Sequence, residues 1–388
     1  MKRIFTKSTY VIALALFACI GFCYSQTVST VTTTNSTGPY KIGDVITVRV
    51  TFSAAVDVTT GPRIELNVTP TTRYANATPV TNATQVNFTY TVQSSDVSTR
   101  LDYASTGALT LNSGTIFATS TSTPANLALP ATASSGLYTT NLVIDGVAPG
   151  AFTTGAVTTN TGGNVVAGYY NISNTSGITV AVPIDNDASL NTGTIQIQVS
   201  NDGPTGAYVN LGSPVSIPSI NITQNVNITN AVLIANSKYG DGNTLNFRAI
   251  ITDIAGNSRT GTESGSTLII DKTAPTISVG SPSVSSTNTV PVTYTITYSG
   301  ATGSTLAAGN ITLNKTLTAD GTIGVSGVTA TGATVTISSI TGDGTLGITV
   351  APGVASDAAG NTTAASSPST TFSVDNGAPI AFTTGAVT

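Results

Sequence analysis

The 388-residue chain contains no histidine and no tryptophan, and its only cysteines, Cys19 and Cys23, lie within the first 26 residues. Without histidine or a later cysteine, the usual imidazole bases and thiol nucleophiles are missing, and serine has no candidate partner. A glycosidase needs two placed carboxylates, and 15 scattered aspartates make accidental pairs uninformative. No enzymatic activity is expected within these residues. Disulfides are equally excluded from the chain after residue 26, so rigidity must come from packing or from bound metal. Charge is scarce at 8 %. The 13 basic side chains less Lys2, Arg3 and Lys7 leave 10 against 17 acidic ones, a net of −7. That balance argues against nucleic acid or an anionic membrane as partner. Glutamate is nearly absent, with only Glu65 and Glu263. Aspartate favours turns and glutamate favours helices, so the acids point to loops between strands.

Residues 1–26 read as a signal peptide. Lys2, Arg3 and Lys7 form the basic region, Val11 to Phe22 is an apolar run too short to span a bilayer, and Cys23-Tyr24-Ser25 offers a cleavage site before Gln26. A lipoprotein-type alternative at Cys19 is disfavoured by the bulk of Phe17. No later stretch reaches the roughly 20 apolar residues of a membrane helix. The expected location is exported, at the cell surface or extracellular, with no membrane insertion within these residues.

What the chain does have is alternation and repetition. Ile46, Val48, Val50 and Phe52 share one face of a strand, as do Val86, Phe88, Tyr90 and Val92, and later Val292, Tyr294, Ile296 and Tyr298. Three strand-closing tags recur: Val143 to Pro149 around Asp145, Leu268 to Pro275 around Asp271, and Phe372 to Pro379 around Asp375. In each, proline forbids continuation of the strand. Two loops, Asp253-Ile254-Ala255-Gly256-Asn257 and Asp357-Ala358-Ala359-Gly360-Asn361, stand 18 residues before the second and third tags. Each is preceded by a Gly-Asp-Gly turn suited to a hairpin reversal, at Asp241 and Asp343. The segment 148–158 recurs at 378–388 with ten of eleven positions matching, the signature of an array. The expected organisation is a β-sandwich module at 27–147, a second at 148–273, a third at 274–377, and the first strand of a truncated fourth at 378–388. The fold class expected is all-β, with tandem sandwich modules arranged end to end. The chain is expected to continue into further repeat modules.

The tags, the Asp-x-Ala-Gly-Asn loops, the Gly-Asp-Gly turns and the segment Tyr40 to Ile46 resemble the tandem bacterial immunoglobulin-like, cadherin-like repeat domains of large surface adhesins. The resemblance covers 27–388 and implies a non-catalytic stalk of a surface adhesion or matrix protein. Its partner would be a surface ligand or matrix component that the sequence does not identify. The alternative is an accessory or carbohydrate-binding region of a secreted enzyme whose catalytic domain lies beyond Thr388. The resemblance also implies calcium at module boundaries, held by Asp145, Asp253, Asn257, Asp271, Asp357, Asn361 and Asp375. Loops of this kind are also simply good turns, in which aspartate bonds nearby amides. A final strand running the length of each module would carry loop and tag to opposite ends. Each tag should then meet the next module's loop: Asp145 with Asp253 and Asn257, Asp271 with Asp357 and Asn361, and Asp375 with a loop beyond residue 388. Tyr169-Tyr170 is either a sugar-stacking pair or core packing.

Overall fold

The computed structural model describes residues 25–378. The expected signal peptide and fourth-module strand lie, but for Ser25, Gln26 and Ala378, outside the described residues. Among these, no helix is long and apolar enough to cross a membrane. The chain divides into two compact units. The first runs to Gly150 and includes the segments Asp187–Gly193 and Thr252–Arg259; the second comprises Ala151–Asn186, Thr194–Ile251 and the chain from Thr260.

The fold is all-β. Up to residue 77 the strands are β1 (Val28–Thr33), β2 (Gly38–Tyr40), β3 (Val45–Val58), β4 (Arg63–Leu66) and β5 (Arg73–Ala77). There follow β6 (Val80–Thr91), β7 (Val97–Ser98), β8 (Leu109–Thr110), β9 (Ile116–Ala118) and β10 (Leu142–Asp145). One sheet has the order β1-β3-β6-β5-β4-β8 and the other β2-β10-β7. Register explains the core between them: Ile46 lies opposite Tyr90, Val48 opposite Phe88 and Val50 opposite Val86, and all six are buried. Each such side chain contributes on the order of 1.5–3 kcal/mol by leaving water. Thr47, Thr89 and Arg49 take the outward positions of the same pleat.

The middle stretch contains β11 (Val157–Thr159), β12 (Tyr169–Tyr170), β13 (Ile178–Ile184), β14 (Thr194–Ser200) and β15 (Val209–Asn210). It goes on with β16 (Val215–Ser216), β17 (Ile222–Ile228), β18 (Thr244–Thr252), β19 (Ser258–Thr260) and β20 (Leu268–Ile270). Its sheets are β11-β13-β17 and β12-β20-β18-β14-β15. Tyr170 is fully buried, and its hydroxyl donates to Asn230 Oδ1 at 2.7 Å. It packs in the core, so it offers no ring to a sugar.

The last stretch contains β21 (Thr276–Val279), β22 (Ser286–Thr287), β23 (Val292–Ser299), β24 (Gly303–Ser304) and β25 (Ile311–Lys315). The remaining strands are β26 (Asp320–Ser326), β27 (Gly332–Thr341), β28 (Gly344–Val350), β29 (Ala355–Ser356) and β30 (Phe372–Val374). Its main sheets are β21-β23-β27-β26 and β22-β30-β28-β25. These are the A-B-E-D and G-F-C arrangements of an immunoglobulin-like sandwich, with a short strand added beside G. That addition recurs: β2 pairs in parallel with β10, β12 with β20 and β22 with β30. It sets the turn after the short strand beside the tag.

The expected unbroken final strand is corrected in both later stretches; in the middle one the return is split into β19 and β20. Between Asn361 and β30 the chain lacks regular strand structure, because Pro368 has no N–H to give a ladder. Serines fill the gaps: Val350 N–H donates to Ser366 Oγ at 2.8 Å and Ile348 N–H to Ser369 Oγ at 2.9 Å. The separation of loop and tag survives. Val374 lies opposite Gly344 at one end of β28, and the Asp357 loop follows the other.

Candidate junction site

Each Asp-x-Ala-Gly-Asn segment closes on itself. Asp253 N–H donates to Asn257 O at 2.9 Å, and Asp253 Oδ1 accepts the N–H groups of Gly256 and Asn257, both at 2.8 Å. In the second loop, Asp357 N–H donates to Asn361 O at 3.0 Å and Asn361 N–H to Asp357 Oδ1 at 2.9 Å. The closure needs positive φ before the asparagine, +95° at Gly256 and +84° at Gly360. Each tag also folds alike: Asp145, Asp271 and Asp375 accept, through Oδ1, the N–H of Val147, Thr273 and Gly377, each at 3.1 Å.

In the first unit the Asn257 carboxamide is held from both ends. Its Nδ2 donates to Asp145 O and to Asp253 Oδ2, both at 2.9 Å. Its Oδ1 accepts the Ile42 N–H at 3.0 Å, from the turn after β2. Arg259 donates to Pro149 O beside it. In the second unit Asn361 repeats the arrangement. Nδ2 donates to Asp271 O at 3.2 Å, Asp271 Oδ1 at 3.1 Å and Asp357 Oδ2 at 3.0 Å, and Oδ1 accepts the Ile172 N–H at 2.8 Å. Asn257 and Asn361 are buried. Two further amides reach the second loop: Asn171 Nδ2 donates to Ala359 O at 2.6 Å and Asn164 Nδ2 to Gly360 O at 3.0 Å. Asp375 meets no such loop among the described residues.

Ile42, Ile172, Asn164 and Asn171 were not among the expected site residues. Nor were the Gly-Asp-Gly aspartates, which anchor the tags. Asp241 accepts Lys272 N–H at 2.6 Å and the Thr273 hydroxyl at 2.5 Å, and Asp343 accepts Asn376 N–H at 2.7 Å. The paired Gly-Asp-Gly and tag motifs were the available signal.

Burial pushes the Asp145 carboxyl above its ordinary 3.8; the Val147 N–H opposes the shift, and the charges of Asp253 and Asp187 add to it. Asp241 is held below the same value, first by the Lys272 N–H and then by the Thr273 hydroxyl. The two respond oppositely to pH. The Asp241 contact contributes stability above the ordinary carboxylate pKa and loses it as pH falls through the lowered one. Ionised Asp145 is a cost that grows as pH rises from the ordinary value through the raised one. An NMR titration should give the Lys272 amide a midpoint below 3.8 and the Val147 amide one above it. The reverse order would contradict these assignments.

Calcium takes six to eight oxygen ligands, and in the arrangement described an amide nitrogen stands among the candidate oxygens. Both Asp253 oxygens and Asn257 Oδ1 already hold N–H groups. The group facing the carboxylates is an amide nitrogen, a donor. Among the described residues, no group of three or more His, Cys, Asp or Glu is arranged to hold a metal.

No family model and no curated protein matches the chain. Among solved structures, the FN1–FN3 domains of chicken CNTN1 align over 90 % of this chain and 97 % of that one, at 10 % identity and a TM-score of 0.23. A likeness that low carries no argument; the immunoglobulin-like assignment rests on the strand order.

Proposed function

We propose that the chain is a non-catalytic, exported stalk of a cell-surface adhesion or matrix protein, its sandwich modules (27–147, 148–273 and 274–377) joined in line by asparagine clamps. One observation carries this reading. The same carboxamide, in the same loop, bridges the same tag carbonyl and the same post-β-strand N–H in both units. A repeated bond between a loop and a preceding tag stiffens a chain without adding any surface for catalysis.

Calcium is the second reading, favoured by the crowding of Asp145 by Asp253 and Asp187. It requires the Asn257 amide to turn away from the carboxylates. Melting and small-angle scattering in millimolar calcium and in chelator separate the two. The clamp predicts coincident melts and an extended scattering profile in both. A calcium-dependent rise in Tm that Asp145→Asn abolishes would transfer the junction to the metal, and a collapsed profile in both would sink the stalk.

A further inference from the structure

The first unit carries a cleft unrelated to the tags. β4 and β5 pair from Arg63 opposite Asn76 to Leu66 opposite Arg73. β5 and β6 pair only at Asn76 with Thr89 and at Ala77 with Phe88. Beyond that point β6 continues along β3, with Thr91 opposite Val45, while β5 stays with β4. The two strands part, and a cleft of about 520 Å³ opens between them, lined by Arg63, Arg73, Tyr74, Asn76, Tyr90 and Gln93 among others.

Its two arginines differ. Arg73 Nε pairs with Asp96 Oδ1 at 2.6 Å. Asp96 is fully buried and also accepts the Tyr90 hydroxyl at 2.5 Å and Gln93 N–H at 2.9 Å. That carboxylate is fully committed. Arg63 makes no ion pair among the described residues. Its guanidinium lies 3.9 Å over the Tyr74 ring, and its Nε is buried with no hydrogen-bond partner. A buried donor left unmatched costs about 1–3 kcal/mol, and since the terminal nitrogens of the same guanidinium make no ion pair among the described residues either, they are the groups that an acceptor from outside would meet at the cleft. In a chain of net negative charge, the one uncompensated charge of this cleft is positive.

From this geometry we infer that the cleft binds a carboxylated saccharide. A guanidinium seated over Tyr74 is a planar fork that matches a carboxylate with two parallel N–H···O bonds. The rest of the lining is hydroxyl and amide, from Thr72, Asn76, Thr89, Thr91 and Gln93, which suits the hydroxyls of a pyranose ring. Neither feature suits an apolar ligand.

The test uses the full chain titrated by NMR with tetragalacturonate, with neutral maltotetraose and a sulfated tetrasaccharide as the other arms. Galacturonate should shift the amides of Arg63, Tyr74, Asn76 and Gln93 and bind at least about tenfold more tightly than maltotetraose, a bidentate charged pair exceeding neutral hydrogen bonds by that order. Arg63→Ala should abolish the preference. Asn76→Glu, which sets a carboxylate opposite Arg63 without removing it, should do the same in a variant whose Tm is unchanged. Absent binding, equal affinity for the neutral sugar, preference for sulfate over carboxylate, or indifference to both substitutions would overturn the assignment.

Discussion

Replacing Asn361 by alanine is expected to free the second-unit loop from its tag while leaving the sandwich cores folded. The substitution strands the Ile172 N–H, the Asp271 carbonyl and Asp357 Oδ2 at once. Each buried group left unpaired costs about 1–3 kcal/mol, discounted because water reaches Ile172, which is 48 % exposed. A local loss of about 2–4 kcal/mol follows. It should appear as protease cleavage near Thr273 and faster exchange at the loop. Asn361→Asp tests the donor separately, because it sets an oxygen against Asp271 Oδ1 and Asp357 Oδ2. It should be as damaging as alanine at neutral pH and recover on acidification. Wild-type protease resistance in both variants would refute the clamp.

The second large effect is an asymmetry between two glycines that the sequence presents as equals. Both need positive φ, for which alanine costs about 1–2 kcal/mol. A Cβ on Gly256 would meet only the flexible stem of Lys41, at 3.4 Å. On Gly360 it would fall 2.4 Å from Asn164 Nδ2 and 2.9 Å from Val166 Cγ2, and would push out the Asn164 bond to Gly360 O as well. Gly360→Ala should therefore destabilise by about 1–3 kcal/mol more than Gly256→Ala, in the range of overpacking. Chemical denaturation of the two variants checks this, and equal losses would show that Asn164 does not hold the loop.

Much of the fold was legible. Alternation placed Ile46, Val48 and Val50 in one core and Val292, Tyr294 and Ile296 in another, because a pleat of period two fixes which side chains turn inward. Proline and aspartate in the tags marked the strand ends. The clamp was legible in its residues and not in its bonds. Asparagine is a donor and an acceptor at once, so the motif could not say that Nδ2 faces the carboxylates while Oδ1 takes a backbone N–H. Ile42 and Ile172 contribute main-chain groups, which any residue carries, and the parallel strand that positions them is only three residues long in the first unit and two in the second. The broken return past Pro368 was written in the sequence. Its repair by Ser366 and Ser369 depends on which hydroxyls face β28, a matter of tertiary placement.

Amide hydrogen exchange at Ile42 and Ile172 tests the clamp most directly. Among the described residues the Ile42 and Ile172 N–H groups donate to the asparagine Oδ1 and to no backbone carbonyl, so without that acceptor both amides should exchange markedly faster. The account predicts that both are protected in the full chain, equally in calcium and in chelator. Asn257→Ala should release Ile42 alone and Asn361→Ala should release Ile172 alone. Unprotected Ile42 and Ile172 in the wild type, or protection that survives loss of its asparagine, would contradict it.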